Sequence, residues 1–500
     1  MQVADTTPTT DFPASARAMG PLLASVALVA LADYLVLTAT PGVSWFVFAL
    51  AVALVIAAMA LARNRARAAL LALGLVTIAA LPIIEAPSLP GLAVASLALA
   101  IAALLAARLL PSALGDIPGA LLRFGVLAPF RLIGDTIASR AGGVRPGLMR
   151  ALFRQLLGWL IPLVFLAIFL WLFVAANPVF DLAASQLSLG HFTFPEPLRL
   201  VAWLLLAAAI WALLRPRLLR WVRKARAAEP MIKAESLLFG RSAILRSLII
   251  FNAIFAMQTL TDVTYLWGGM ALPAGMSHAD YAHRGAFPLI VTALLAAAFV
   301  LAAVRQNGPG EQSPLIRGLV YAWIGQNILL CISAILRLNL YVETYSLTEL
   351  RVVAGIWMGL VAVGLLLILL RIVLRQSNGW LIATNLASLV VTLWLCAWID
   401  FPALIARFNV DHSREISGSG VALDLEYLLE LGPTVIPALD DYLTHIKPHA
   451  RAVHVREQLA FAAWQGWTED WRGWTWRQLR LAAYLDSTDG NDNNWSILPQ

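Results

Sequence analysis

The chain has 500 residues, of which 60% belong to the set AVILMFWYC and 13% are charged, whereas a soluble domain holds about 45–50% apolar and about 25% charged residues. A water-soluble chain cannot hide that much apolar surface, so the composition excludes a string of soluble domains, a disordered chain, a collagen or coiled-coil rod and a disulfide-stapled secreted module. Net charge is +7 and unevenly divided: residues 401–500 carry 8 Lys+Arg against 13 Asp+Glu, while everything before them is strongly basic.

Residues 1–18 are polar and expected to be a disordered cytoplasmic N-terminus. A spanning helix needs about 20 predominantly apolar residues. Eleven such runs follow: 19–39, 43–62, 67–85, 90–108, 155–176, 198–215, 246–267, 288–304, 317–337, 351–373 and 380–400. The first lacks a small-residue cleavage site, so it is expected to be retained. The run at 198–215 is short and the run at 67–85 contains Pro82, so both are candidates for tilt or partial re-entry. Cys331 and Cys396 fall inside apolar runs and read as small packing residues.

The loops set orientation. Alternate loops, from Arg17 through the stretches 63–67, 108–154, 215–246, 305–317 and 371–375, hold 24 basic residues. The opposite loops hold Arg199, Arg284, Arg337 and Arg351. By the positive-inside rule the N-terminus is cytoplasmic, and eleven crossings put the last hundred residues outside. The expected division is a four-helix transmembrane region over 19–108, a cytoplasmic interfacial segment over 109–154, a seven-helix region over 155–400 and an extracytoplasmic helical domain over 401–500. The fold class is therefore all-α: a polytopic helical membrane protein with a small helical C-terminal extramembrane domain.

Two cytoplasmic stretches carry more than a loop needs. Residues 112–140 interleave Leu121, Leu122, Phe124, Leu127, Phe130 and Ile133 with Arg123 and Arg131, which suits a helix lying in the interface. Arg215–Arg226 holds six basic residues in twelve. It reads either as a topology signal alone or as a seat for anionic headgroups. In the tail, Asp424–Leu431 runs into the helix stop Gly432-Pro433. Trp464, Trp467, Trp471 and Trp474 recur at spacings 3, 4 and 3, the period of one helix face. That stripe would either dock on the membrane–water interface or form the core of the small domain, unless Gly466 and Gly473 break the helix and spoil it.

Polar side chains within spans cost free energy and tend to face the bundle interior. Asp33 lies in the first run and Glu85 ends the third. The seventh is the most polar, with Gln258, Asp262 and Tyr265 at i, i+4 and i+7 on one face. Asn252, Gln326 and Asn327 read either as part of a polar path or as hydrogen-bonding glue between helices. Two outer loops follow from the orientation. The first, 267–287, holds His278, Asp280, Tyr281, His283 and Arg284; the second, 337–351, holds Tyr341, Glu343, Tyr345, Thr348 and Glu349. Arg337 and Arg351 run against the orientation bias, so each needs a partner, and Asp262, Glu343 and Glu349 are candidates. The candidate polar site or ligand contacts are thus Asp262, Tyr265, Tyr281, Arg284, Arg337, Tyr341, Glu343, Tyr345 and Arg351. The spacing of His278, Asp280 and His283 matches no strong zinc pattern. No phosphate-binding, dinucleotide, nucleophile-elbow or metalloprotease motif is present. No cofactor, metal or nucleic-acid partner is expected.

The stretch Tyr281-Ala282-His283-Arg284-Gly285-Ala286-Phe287 and the stretch from Leu336 to Arg351 resemble a bacterial multi-pass membrane family catalogued as a domain of unknown function. Asp424-Leu425-Glu426-Tyr427-Leu428-Leu429 and Asp470-Trp471-Arg472-Gly473-Trp474 are similar to the ends of such proteins. The likeness covers about residues 230–485. The family often has a second Arg where His283 stands and a bulky aromatic where Ala286 stands. The resemblance implies a membrane fold in a bacterial inner membrane, in some relatives sensor-like, and no mechanism.

Three readings of function stand open. The first is a non-enzymatic envelope or signalling component that receives an extracytoplasmic protein or small-molecule ligand on its outer face, because the unusual residues cluster there. The second is a secondary transporter with Asp262 as its intramembrane carboxylate. The third is a membrane enzyme acting on a lipid-linked phosphate substrate held by Arg284, Arg337 and Arg351.

Overall fold

The computed structural model describes residues 16–132, 135, 197–218, 241–264, 313–446, 450–467 and 469–489. Every regular element among them is a helix. Eight are long and apolar enough to cross a membrane, and Leu198–Leu214 forms a shorter apolar helix. These nine answer to nine of the eleven runs in the sequence; the runs at 155–176 and 288–304 lie outside the described residues. The chain is a polytopic all-α membrane protein.

The chain divides into two compact units. The first contains α1 (Ala16–Ala32), α2 (Val43–Leu61), α3 (Ala66–Ala80), α4 (Leu89–Ala106), most of α5 (Ile117–Leu127) and α6 (Pro197–Leu214). Residues 470–476 also belong to it. The facing surfaces of α2, α3 and α4 are lined with buried alanine: Ala53, Ala60, Ala72, Ala80, Ala98 and Ala102 among them. Small side chains let spanning helices approach closely where water supplies no driving force between them. Pro82 does not interrupt the third run. It ends α3 and opens a single further turn, Pro82–Glu85, so that the span continues over Ala66–Glu85. Ser88 then caps α4 by accepting from the Gly91 N–H at 3.3 Å.

Gly42, before α2, meets the tail segment. A Cβ there would stand 2.3 Å from the Gly473 carbonyl carbon, and Val43 N–H donates to Trp474 O at 2.7 Å. Arg472 donates to Tyr34 O at 2.7 Å and lies 4.4 Å over the Tyr34 ring.

The second unit contains α7 (Arg241–Asp262), α8 (Pro314–Tyr345), α9 (Glu349–Val373), α10 (Asn378–Cys396) and most of the tail. Ile244, Leu248, Phe255, Trp323 and Ile324 form its membrane core, with Phe255 edge-on to Trp323 at 6.3 Å. The tail adds α11 (Phe401–Asp411), α12 (Leu425–Leu431), α13 (Ile436–His445), α14 (Ala450–Gly466) and α15 (Trp476–Asp489). Val410, Leu428, Ile436, Leu439, Leu459 and Leu485 share a second apolar core there. Asp400 and Asp424 cap α11 and α12 through the Ala403 and Tyr427 N–H groups.

Two expectations are corrected. The stretch 337–351 is not a loop: α8 runs 32 residues to Tyr345, leaving a turn at 346–348. The apolar content of Leu338, Leu340 and Val342 sustains the helix past the bilayer, since 32 residues rise about 48 Å against a hydrocarbon core of about 30 Å. The tryptophan stripe is not one helix face either. α14 stops at Gly466, Trp471–Gly473 is a single 3-10 turn, and Trp474 is extended. Helical periodicity in residue type did not survive two glycines, whose backbone entropy disfavours a continuous helix.

Candidate functional site

α7 and α8 lie side by side and are stitched by polar groups. Asn252 donates through Nδ2 to Leu319 O at 3.1 Å, and Gln326 donates through Nε2 to Asn252 O at 3.2 Å. Further along, Arg337 forms an ion pair with Asp262. Rising numbers on one helix meet rising numbers on the other, so the two helices run parallel, as spans seven and nine must.

Asp262 is 0% exposed and Arg337 3%. Gln258, one turn before Asp262 on α7, donates to the same carboxylate oxygen at 3.1 Å. This is the i, i+4 relation visible in the sequence, put to use as a second donor to the anion. Two buried charges in apolar surroundings demand each other: either alone would carry most of its desolvation cost uncompensated.

About two helical turns beyond Arg337, α8 ends in a cluster of rings and a cation. The Tyr341 and Tyr345 rings meet at a tilt of 46°, with centroids 4.8 Å apart. The Arg351 guanidinium, from the first turn of α9, lies 4.5 Å from the Tyr341 ring and 5.9 Å from that of Tyr345. It donates to Tyr345 O at 2.6 Å and to Ser346 O. These are terminal carbonyls of α8, which lack intrahelical donors and carry the negative end of the helix dipole. Arg337 therefore has one of the carboxylate partners the sequence suggested, while Arg351 binds backbone oxygens and aromatic faces. Ser346 adopts φ +66°, a conformation a side chain rarely takes, and the turn around it is held from outside the helix pair.

Two residues of the tail do the holding. Asn409 of α11 accepts from Leu347 N–H at 2.7 Å and donates to Leu347 O at 2.9 Å. The Tyr427 hydroxyl of α12 accepts from Glu349 N–H at 3.0 Å. Burial is the main cause that raises the Tyr427 hydroxyl above its ordinary pKa. Neither residue was singled out in the sequence as a contact. Asn409 left one sign: it interrupts the apolar face of α11 otherwise made by Ile405, Ala406 and Val410.

Glu343 and Tyr345 are exposed on the last turn of α8, and Tyr341 is half-buried. Tyr265, Tyr281 and Arg284, with His278, Asp280 and His283, lie outside the described residues. The structure thus brings together Asp262 with Arg337, and separately Tyr341, Tyr345 and Arg351. Within the tail, Pro433, Trp464, Trp467, Leu481 and Leu485 line an apolar cleft of about 340 Å³.

A family model described as "Domain of unknown function (DUF4153)" matches residues 69–442 of the chain. No curated protein and no solved structure matches it.

Proposed function

We propose that this chain, which belongs to the DUF4153 family, is a non-enzymatic envelope or signalling component of a bacterial inner membrane. It receives a protein or small-molecule ligand on its outer face. The tail helices and the Tyr345–Arg351 turn form the receiving element, and α8 carries the response inward toward Asp262 and Arg337. The observation that supports this reading is the two-point grip on the turn: Asn409 holds both backbone groups of Leu347, and Tyr427 holds the amide of Glu349. A long helix rooted in a turn that extramembrane helices grip is an element that both ends can bias. Exposed Glu343, Tyr345 and Leu350 offer contact surface beside that grip. Tyr281 and Arg284 would share the face.

A secondary transporter working through Asp262 is the alternative. The complete burial of that carboxylate favours it, since intramembrane carboxylates commonly mark ion paths. In that reading Arg337 is a counter-ion from which Asp262 must part during transport.

Amide exchange measured in nanodiscs tests the first reading. Tyr427→Phe removes one hydroxyl and spares the ring. The expected result is several-fold faster exchange at Glu349 and in the last turns of α8, near Tyr341. Acceleration confined to the tail helices would mean that the grip transmits nothing to the spans, and the proposal would fall.

A further inference from the structure

Asp135, in the first unit, is a single carboxylate crowded by three guanidinium groups. Arg131 lies at 3.1 Å, Arg215 at 3.4 Å and Arg217 at 3.6 Å. The Trp211 indole N–H donates to the same carboxylate at 3.2 Å, and Arg215 lies 5.2 Å over the Trp211 ring. Arg131 also donates to Arg215 O at 2.8 Å. Its side chain is 5% exposed, and among the described residues its buried Nε has no hydrogen-bond partner. Burial lowers the Arg131 pKa; Asp135 opposes that effect, and the Arg217 and Arg215 charges add to it.

Among the described residues, three cations against one anion leave an excess of two positive charges at the end of an apolar helix. The C-terminus of α6 offsets about half a charge. The bland reading is an orientation signal, but that needs only exposed basic residues on the cytoplasmic side. It does not require a guanidinium that is nine-tenths buried beside one carboxylate and two further guanidiniums. A second anion against the partly exposed Arg215 and Arg217 guanidiniums would resolve the excess charge. Guanidinium groups favour phosphate, whose oxygens match their fork of N–H donors.

We infer that Arg131, Arg215 and Arg217 form a phosphate-binding site. The neighbouring surface points to a lipid as the source. Leu122, Val126 and Phe130, on α5 and the turn that leads to Arg131, are 66%, 53% and 64% exposed. They give acyl chains an apolar platform beside the charged seat. The site is independent of the receiving element proposed above and shares no residue with it.

The full chain, purified in dodecyl maltoside and stripped of lipid, is the material for the test. Retained lipid is counted by native mass spectrometry, and stability is followed by thermal melting. The probes are dioleoylphosphatidylglycerol, dioleoylphosphatidylcholine and inorganic phosphate. Wild type should retain phosphatidylglycerol over phosphatidylcholine. Arg215→Gln with Arg217→Gln should weaken retention about tenfold or more, as expected for two lost charge-assisted contacts. Arg217→Gln alone alters a side chain 60% exposed, so it tests the site without threatening the fold. Phosphatidylglycerol retention that millimolar phosphate does not displace assigns the seat to a lipid headgroup. Equal protection by inorganic phosphate assigns it to a soluble phosphate. Retention of phosphatidylglycerol unchanged in both variants, or no response to any phosphate-bearing probe beyond that to phosphatidylcholine, overturns the proposal.

Discussion

Asp262 and Arg337 stand 75 positions apart in the chain and meet where water does not reach. The encounter was partly legible: Arg337 sits where the orientation bias disfavours basic residues, and the nearest unexplained carboxylate within a span is Asp262. Charge conservation inside an apolar medium does that part of the argument. Arg351 was not legible in the same way, because backbone carbonyls and ring faces carry no signature in a sequence. The pair makes a sharp prediction. Arg337→Ala strands a buried carboxylate and should destabilise the purified protein by about 3–5 kcal/mol. Combining it with Asp262→Leu should recover most of that loss, because an uncharged interior has nothing to neutralise. Urea or thermal melts in one detergent give the comparison, and a double variant as weak as the single would show that the pair does more than cancel charge.

At the scale of elements, the boundaries of α8 and the course of the tail carry most of the information. Apolar run length located α8 but misplaced its end by eight residues, Arg337 to Tyr345. Hydropathy reports the bilayer, whereas a helix stops where its carbonyls find other donors, here the Arg351 guanidinium. The tryptophan spacing alone suggested one helix face, but Gly466 and Gly473, the two breaks already visible in the sequence, end that face. Gly473 has a purpose of its own in the contact with Gly42, where the two backbones leave no room for a side chain. Gly42→Ala should therefore push segment 470–476 off α2, at a cost of about 1–3 kcal/mol for overpacking. Proteolysis near Arg472 and a red shift in tryptophan emission would report the release. An Ala variant that melts and digests like wild type would show that the segment does not need the close approach.

On the scale of the whole molecule, topology is the quantity that matters most for function. The tail helices hold the turn between α8 and α9, so both must lie on one side of the membrane. A cysteine at Glu343, in a chain with Cys331 and Cys396 changed to Ala, should react with a membrane-impermeant maleimide in intact cells. A phosphatase fused after Gln500 should be active outside. Both signals inside would remove the outer face from the proposal. A split between them would break the contact of Leu347 with Asn409.

The sequence by itself determined that this is a helical membrane protein, where most of its spans lie, and which charges needed an answer. Those properties are additive, summing residue by residue through hydropathy, length and charge, and so can be read in one dimension. Only the tertiary structure decided that Asn409 and Tyr427 grip the turn, that Gly42 meets Gly473, and that three arginines share Asp135. Each of these joins groups far apart in the chain through directional hydrogen bonds or steric fit, and such relations come into being only once helices are packed.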